Sequence, residues 1–440
     1  MSRISAVLTT VVATTACVCA TAPTAAASDP VVSRGVTIPA FYTPPSELPS
    51  GNGVLVRHEP LPLGLSLPGL DGRPLPGTAT RLMYTSTAST GERVAVTGAY
   101  IEPTARWKGG GPRPLVVVGS GTMGQGDQCA PSFALQHPLT LNGQTVSIAY
   151  EDLAIYRILA TGAAVVVTDY VGLGATDRVH TYVNRVDQGH AMLDAARAAY
   201  AVPGASVTAG SRVGLYGYSQ GGGASASAAE LHGTYAPEIN LVGTYSGAPP
   251  ADLTEVMKGI DGSALAGALG WSINGFVQAE PDMREVVAEH VNATGQAALK
   301  DISTTCVGDA IFGYGFTRST EWTRSGKSVA EVIAGEPRAQ AVLDKQRLGT
   351  LKPTGPVRLA TGVQDDIVPH AQSRRLAVDW CKKGADVTYK AVRLPNLGDK
   401  ILTNHLAPLI TDQGDAISWL TDRLRGEPAT SDCATMPYQR

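Results

Sequence analysis

The chain has 440 residues and a formal net charge of −3, with its Lys and Arg residues spread along it rather than concentrated. That distribution argues against nucleic acid as a partner. With 43% apolar and 17% charged residues and no internal repeat, the composition is globular, and the length predicts one large domain with an insertion, or two domains.

The chain opens MSRISAVLTTVVATTACVCATAPTAAASDP, with an early positive charge at Arg3, an Ala/Val/Thr-rich run, and small residues at Ala25, Ala26 and Ala27. This pattern predicts a signal peptide over residues 1–27, cleaved near Ala27–Ser28 and too weakly apolar to stay as a membrane span. A lipid-anchored cysteine at Cys17 or Cys19 is the less favoured variant, because no Leu stands at the usual position before either. No later run has the length and apolarity of a spanning helix, so the mature protein is expected to be soluble and extracellular. Cys129, Cys306, Cys381 and Cys433 remain after cleavage, an even number in an exported chain, which predicts two disulfides. There is no C-x-x-C and no His-rich cluster, so no metal is expected.

Residues 28–80 carry Pro39, Pro44, Pro45, Pro49, Pro60, Pro62, Pro68, Pro74 and Pro76, and are expected to wrap the surface without long regular elements. Strand-like and helix-like segments then alternate. Strands are expected at Val94–Ile101, Leu115–Val118, Ala163–Thr168, Arg212–Tyr216 and Ile239–Tyr245. Helices are expected at Asp152–Ala160, Asp187–Tyr200 and Gly221–Leu231. The rhythm breaks from Leu253 to Leu351 and resumes with Val357–Thr361, the helix Ser373–Lys382, Val387–Leu394 and a closing helix Asp412–Leu424. Such alternation predicts an α/β fold, a mostly parallel sheet with helices on both faces. Residues 28–252 and 352–440 would form its core and residues 253–351 an inserted helical cap.

Within PLVVVGSGTMGQGDQCAPS, Gly119-Ser-Gly121-Thr-Met-Gly124 spells G-x-G-x-x-G after a strand. A dinucleotide site needs those glycines to open a helix. Here they run into Gly126-Asp-Gln-Cys-Ala-Pro, so neither a nucleotide nor any other cofactor is expected.

Residues 212–223, RVGLYGYSQGGG, place Gly217-Tyr-Ser219-Gln-Gly221 between a strand and a small-residue helix. G-x-S-x-G in that context is a nucleophile elbow: the serine sits on a strained turn that excludes side chains from the flanking positions. It also stands where unpaired helix N–H groups can stabilise an oxyanion. A serine needs a base, itself oriented by an acid, and in this arrangement the chain order is Ser, acid, His. The strand Val357–Thr361 ends in Gly362-Val-Gln-Asp365-Asp366-Ile-Val-Pro369; Asp365 is the preferred acid by its distance from the strand end, and Asp366 reads as a solvated turn carboxylate. Of the two histidines that follow, His370 is placed to cap the next helix, whereas His405 comes after one more strand, on a loop that returns over the sheet, and is the preferred base. The Gly119–Gly124 loop then supplies a second oxyanion donor.

These motifs (GTMGQGDQCAPS, DYVGLGATD, GYSQGGG, GVQDDIVP and the late Asn-His before a helix) resemble, in order, the secretory lipases of the yeast lipase A type and their actinobacterial relatives. The resemblance implies an α/β-hydrolase fold with a helical cap and hydrolysis of lipid esters. It makes Ser219 the nucleophile, Asp365 the acid and His405 the base. The oxyanion hole would be formed by the backbone N–H of Gln220 and one from the loop near Met123. Yeast members carry an acidic residue in that loop where this chain has Thr122-Met123. The resemblance also implies a bridge from Cys129 to the cap at Cys306, leaving Cys381 with Cys433.

The leading expectation is therefore a secreted serine hydrolase acting on carboxylic esters of lipids. The rivals are an exported hydrolase of small esters or peptides, and a non-catalytic binding protein on the same scaffold. The segment Ser263–Phe276 in the insertion is apolar without bulk, and its Gly267 and Gly270 serve either a channel for an acyl chain or tight helix packing.

Overall fold

The computed structural model describes residues 30–69 and 72–436. Residues 1–27, expected to be a signal peptide, lie outside the described residues. The central sheet has nine strands: β1 (Leu55–Leu61), β2 (Gly77–Thr87), β3 (Arg93–Pro103), β4 (Leu115–Gly119), β5 (Ala164–Val171), β6 (Val213–Tyr218), β7 (Leu241–Gly247), β8 (Val357–Gly362) and β9 (Val387–Val392). Their order across the sheet is β9-β8-β7-β6-β4-β5-β3-β2-β1. From β9 to β5 every pairing is parallel, and β5, β3, β2 and β1 pair antiparallel.

The parallel strands are apolar at consecutive positions because both faces of the sheet are covered. Leu115, Val117, Val166 and Leu215 pack with Met192, Ala195, Ala224 and Ala228, from the helices Arg185–Tyr200 and Gln220–Tyr235. Their alternating neighbours Val116, Val118, Val165, Val167 and Tyr216 pack on the other face with Ile155, Ile158, Ile417 and Leu420, from the helices Asp152–Ala160 and Thr403–Arg425. Each such aliphatic side chain, fully removed from water, contributes roughly 1.5–3 kcal/mol.

Residues 28–80 depart from the expectation of an irregular wrap, since β1 and the start of β2 fall in this Pro-rich stretch. Pro60 sits in β1, which is the outermost strand, and an edge strand has no neighbour on its outer side to require every N–H. The closing helix also begins nine residues before its expected start, at Thr403 rather than Asp412, and holds Pro408 inside it. A Cβ on Gly362 would lie 2.6 Å from Cγ of Pro408, so the glycine that ends β8 makes room for the proline.

Between Leu253 and Gln346 the chain forms seven α-helices, beginning with Leu253–Ile260 and ending with Pro337–Gln346. They build a core of their own around Trp271, Phe276, Ile302, Trp322 and Val342, closed against Ile367 and Val368 from the loop after β8. A disulfide from Cys129 to Cys306 ties this layer to the loop after β4, and Cys381–Cys433 fastens the C-terminal segment to the helix His370–Lys382.

Candidate active site

Ser219 lies between β6 and the helix Gln220–Tyr235 at φ 57° and ψ −123°, a backbone state that costs on the order of 1–3 kcal/mol for a residue with a side chain. The surrounding contacts impose that turn. A Cβ on Gly217 would fall 2.0 Å from the carbonyl oxygen of Gly221, one on Gly221 equally close to that of Gly119, and one on Gly222 equally close to that of Gly247. Gly119 and Gly121 of the G-x-G-x-x-G string are thus parts of a packed loop: Gly119 offers its carbonyl to the elbow, and a Cβ on Gly121 would collide with the Tyr150 hydroxyl. Gly124, at φ +131°, lies against Cys306 and pairs with it as an isolated bridge.

The three residues singled out by chain order come together. His405 Nε2 is 2.9 Å from Ser219 Oγ, and His405 Nδ1 is 2.7 Å from Asp365 Oδ2. Asp365 is buried, and its other oxygen accepts the N–H groups of Ile367 and Val368 at 3.1 and 2.9 Å. The carbonyl of His405 accepts from the Tyr218 hydroxyl at 2.7 Å. His405 belongs to the first turn of the helix Thr403–Arg425, not to a loop, and the helix start fixes its direction. Asp366 is not a solvated turn carboxylate: it is part-buried and accepts the backbone N–H of Lys400. His370 Nε2 meets the Tyr389 hydroxyl at 2.7 Å and takes no part in the site.

Gln220 is the first residue of the elbow helix. Its side-chain amide donates to Nε2 of His180 at 3.1 Å, whose Nδ1 is 2.8 Å from the carbonyl of Val171. Burial depresses the His180 pKa to about 4, so the ring is neutral and free to accept. In the loop after β4, Thr122 faces the cavity beside Ser219, with its hydroxyl 2.7 Å from that of Tyr182. Met123 instead has its side chain packed among Tyr42, Cys129, Phe133 and Cys306.

Sequence reasoning passed over two residues that hold this loop from below. Tyr150 donates its hydroxyl to the carbonyl of Thr122 at 2.9 Å, and Glu151 Oε1 accepts the N–H of Gly121 at 2.7 Å. Burial pushes the Glu151 pKa up to about 7, against the lowering effect of the Gly121 N–H; neighbouring Asp152 adds to the rise.

Ser219 stands where two apolar cavities meet. One, of about 70 Å³, runs into the cap past Val256, Leu269, Ile273 and Phe276. The other, of about 350 Å³, opens on the His405 side. The cap helix Ala268–Ala279 borders the first cavity with its bulky residues, whereas a Cβ on Gly270 would lie 2.8 Å from Ile302 and one on Gly267 3.0 Å from Ala310. Gly267 and Gly270 are therefore packed against neighbouring helices, and the cavity lies on another face of that helix. Among the described residues, Glu289, His290 and Glu336 form the one trio with metal-ligand spacing, and Arg338 already pairs with both glutamates.

Comparison with known proteins gives a consistent picture. The Secretory lipase family profile matches residues 135–432. A probable inactive lipase of Mycobacterium tuberculosis is 29% identical over 89% of this chain and 82% of its own. Lipase A of Arthroderma benhamiae is 28% identical over 90% and 81%, and a secreted triacylglycerol lipase of Malassezia globosa is 28% identical over 72% and 68%. In structure, Candida antarctica lipase A in its closed state superposes with a TM-score of 0.74 at 23% identity, covering 89% of this chain and 87% of that one. The fold is thus that of the α/β-hydrolases, and the chain belongs to the secretory lipase family.

Proposed function

We propose that this protein is a secreted serine hydrolase that cleaves carboxylic esters of lipids, triacylglycerols among them, through an acyl-enzyme. The observation that carries the reading is the continuous chain of hydrogen bonds from Ser219 Oγ through His405 to the buried Asp365, at the junction of two apolar cavities. His405 Nε2 takes the serine proton as Oγ attacks the ester carbonyl, while Asp365 holds the ring with its Nδ1–H directed away from the serine and stabilises the imidazolium. The oxyanion forms against the N–H of Gln220 at the helix start and one from the Thr122–Met123 segment. His405 then returns the proton to the departing alkoxide, and water repeats the sequence on the acyl-enzyme.

The acyl chain extends into the cap cavity, which adjoins Ser219 and Gln220, and each methylene buried there contributes about 0.8 kcal/mol. The Mycobacterium relative, a probable inactive lipase, raises the alternative of an inert scaffold. The Ser219–His405 bond of 2.9 Å argues for activity in this chain. Labelling by a fluorophosphonate probe, abolished in Ser219→Ala, together with hydrolysis of p-nitrophenyl esters and emulsified triglyceride, tests the proposal. An unlabelled, folded protein inert on every ester would overturn it. Secretion rests on the leader-like segment at residues 1–27 and on the two disulfides, and mass determination of the exported protein's N-terminus checks it.

A further inference from the structure

We infer that His180 is a positioning residue of the reaction: from outside both cavities it holds the peptide N–H of Gln220 where the oxyanion forms, in register with the donor from the Thr122–Met123 segment. The inference rests on the serine-hydrolase reading above and names a residue which that reading does not use. The two donors belong to different parts of the chain, one after β4 and one after β6, and a hole preorganised for developing charge must keep both at a fixed separation. The chain leaving β5 reaches both. Three of its rings pack in succession: His180 stacks on Tyr170 with centroids 5.9 Å apart, and Tyr182 meets His180 edge-on, also at 5.9 Å. Each ring holds a different piece of the hole. The Tyr170 hydroxyl donates to the carbonyl of Ser120 at 2.8 Å, His180 accepts the Gln220 amide at 3.1 Å, and the Tyr182 hydroxyl is 2.7 Å from that of Thr122.

His180 is the link from this stack to the elbow. Its Nδ1 faces the carbonyl of Val171, which can only accept, so that nitrogen carries the proton and Nε2 is left to accept from Gln220. Gln125 Nε2 fastens the backbone at the same point, donating to the carbonyls of His180 at 2.9 Å and of Trp271, in the cap, at 3.0 Å. On the other side of the Ser219–Gln220 peptide, the N–H of Ser219 donates to the carbonyl of Gly247 at 2.9 Å. The peptide that carries the oxyanion donor is thus clamped at both ends. The His180 ring is buried and borders neither the cap cavity nor the wider one, so it acts through Gln220 rather than on substrate.

The test uses the whole protein with p-nitrophenyl octanoate and, as a probe of the hole, a long-chain trifluoromethyl ketone, which adds to the serine and leaves its oxygen as an anion. His180→Asn keeps a donor for the Val171 carbonyl but has no acceptor at the Nε2 position, whereas His180→Gln can place its amide oxygen there. His180→Asn should lower kcat about 10- to 100-fold, less than the loss of a donor outright, with KM nearly unchanged and the ketone weakened by the same factor. His180→Gln should recover most of that loss. Gln220→Met removes the same hydrogen bond from the other side and keeps the peptide N–H. It should lose a similar factor, with little further loss when combined with His180→Asn, and it decides the matter alone if His180→Asn fails to fold by circular dichroism. Unchanged kcat in either folded variant, a loss of kcat without weaker ketone binding, a His180→Gln protein as slow as His180→Asn, or losses that multiply in the double variant overturn the inference and leave the hydrolase reading intact. A wild type inert on the ester and unlabelled by a fluorophosphonate would instead bring down the hydrolase reading on which it rests.

Discussion

Glu151→Gln should make the protein more stable above neutrality and leave it nearly unchanged in mild acid. Glu151 is buried, with a pKa raised from 4.5 to about 7, mainly by burial. A carboxyl held above its unfolded pKa contributes stability that is fully present below pH 4.5 and is lost as pH rises through 7, because the unfolded chain ionises freely while the folded one must bury the charge. The rise amounts to about 3 kcal/mol between those limits. With an unfolding entropy of about 2.1 cal/mol/K per residue over roughly 400 residues, that is ~3–4 °C in melting temperature. Glutamine keeps a carbonyl to accept the Gly121 N–H and has no proton to lose. The variant should therefore gain ~3–4 °C on the wild type at pH 8 relative to their difference at pH 5, read by circular dichroism melts in both buffers. The wild type itself should fall further across that interval, since burial also raises Asp127 and Asp152 to about 7 and Asp169 to about 6. A variant-minus-wild-type difference that does not change with pH would refute the argument.

Ser219→Ala should cost roughly 10⁶ in kcat while leaving the melting temperature within a few degrees, and retained turnover in a folded variant would remove the elbow from the reaction. Asp365→Asn should lower kcat about 10⁴-fold by holding His405 in the wrong tautomer, whereas Asp366→Asn, which changes only the group accepting from Lys400 N–H, should cost far less in kcat; the reverse ranking moves the acid by one position. Ile273→Trp in the cap cavity should shift p-nitrophenyl ester preference toward short chains with acetate turnover surviving, and an unchanged chain-length profile would place the acyl group elsewhere. Gly270→Leu should instead lower the melting temperature, because its side chain would meet Ile302, and a stable Gly270→Leu protein with altered chain preference would reopen the channel along the glycine face.

Much of the site was legible because its constraints are local. The elbow occupies a dozen contiguous residues, and the collision that demands Gly217, with the carbonyl of Gly221, arises from a strand turning straight into a helix; Gly221 itself is required by the neighbouring Gly119 carbonyl. The parallel strands β4 to β8 could be read from their apolar runs because helices cover both faces, whereas β1 and β2, at the antiparallel edge, were not read. The even number of cysteines after residue 27 pointed to the two disulfides that the structure contains. The tertiary structure decided what depends on partners far away in sequence. His405 lies 40 residues from Asp365 and 186 from Ser219, so only the packed helix start at Thr403 brings the ring between them. Pro60 falls in a strand because that strand is at an edge, a fact about its neighbours rather than about proline. Gly267 and Gly270 proved to be packing residues because Ala310 and Ile302 lie against them, and Glu151 emerged as a support of the Gly121 loop because a buried carboxyl reveals its role only through the N–H it faces.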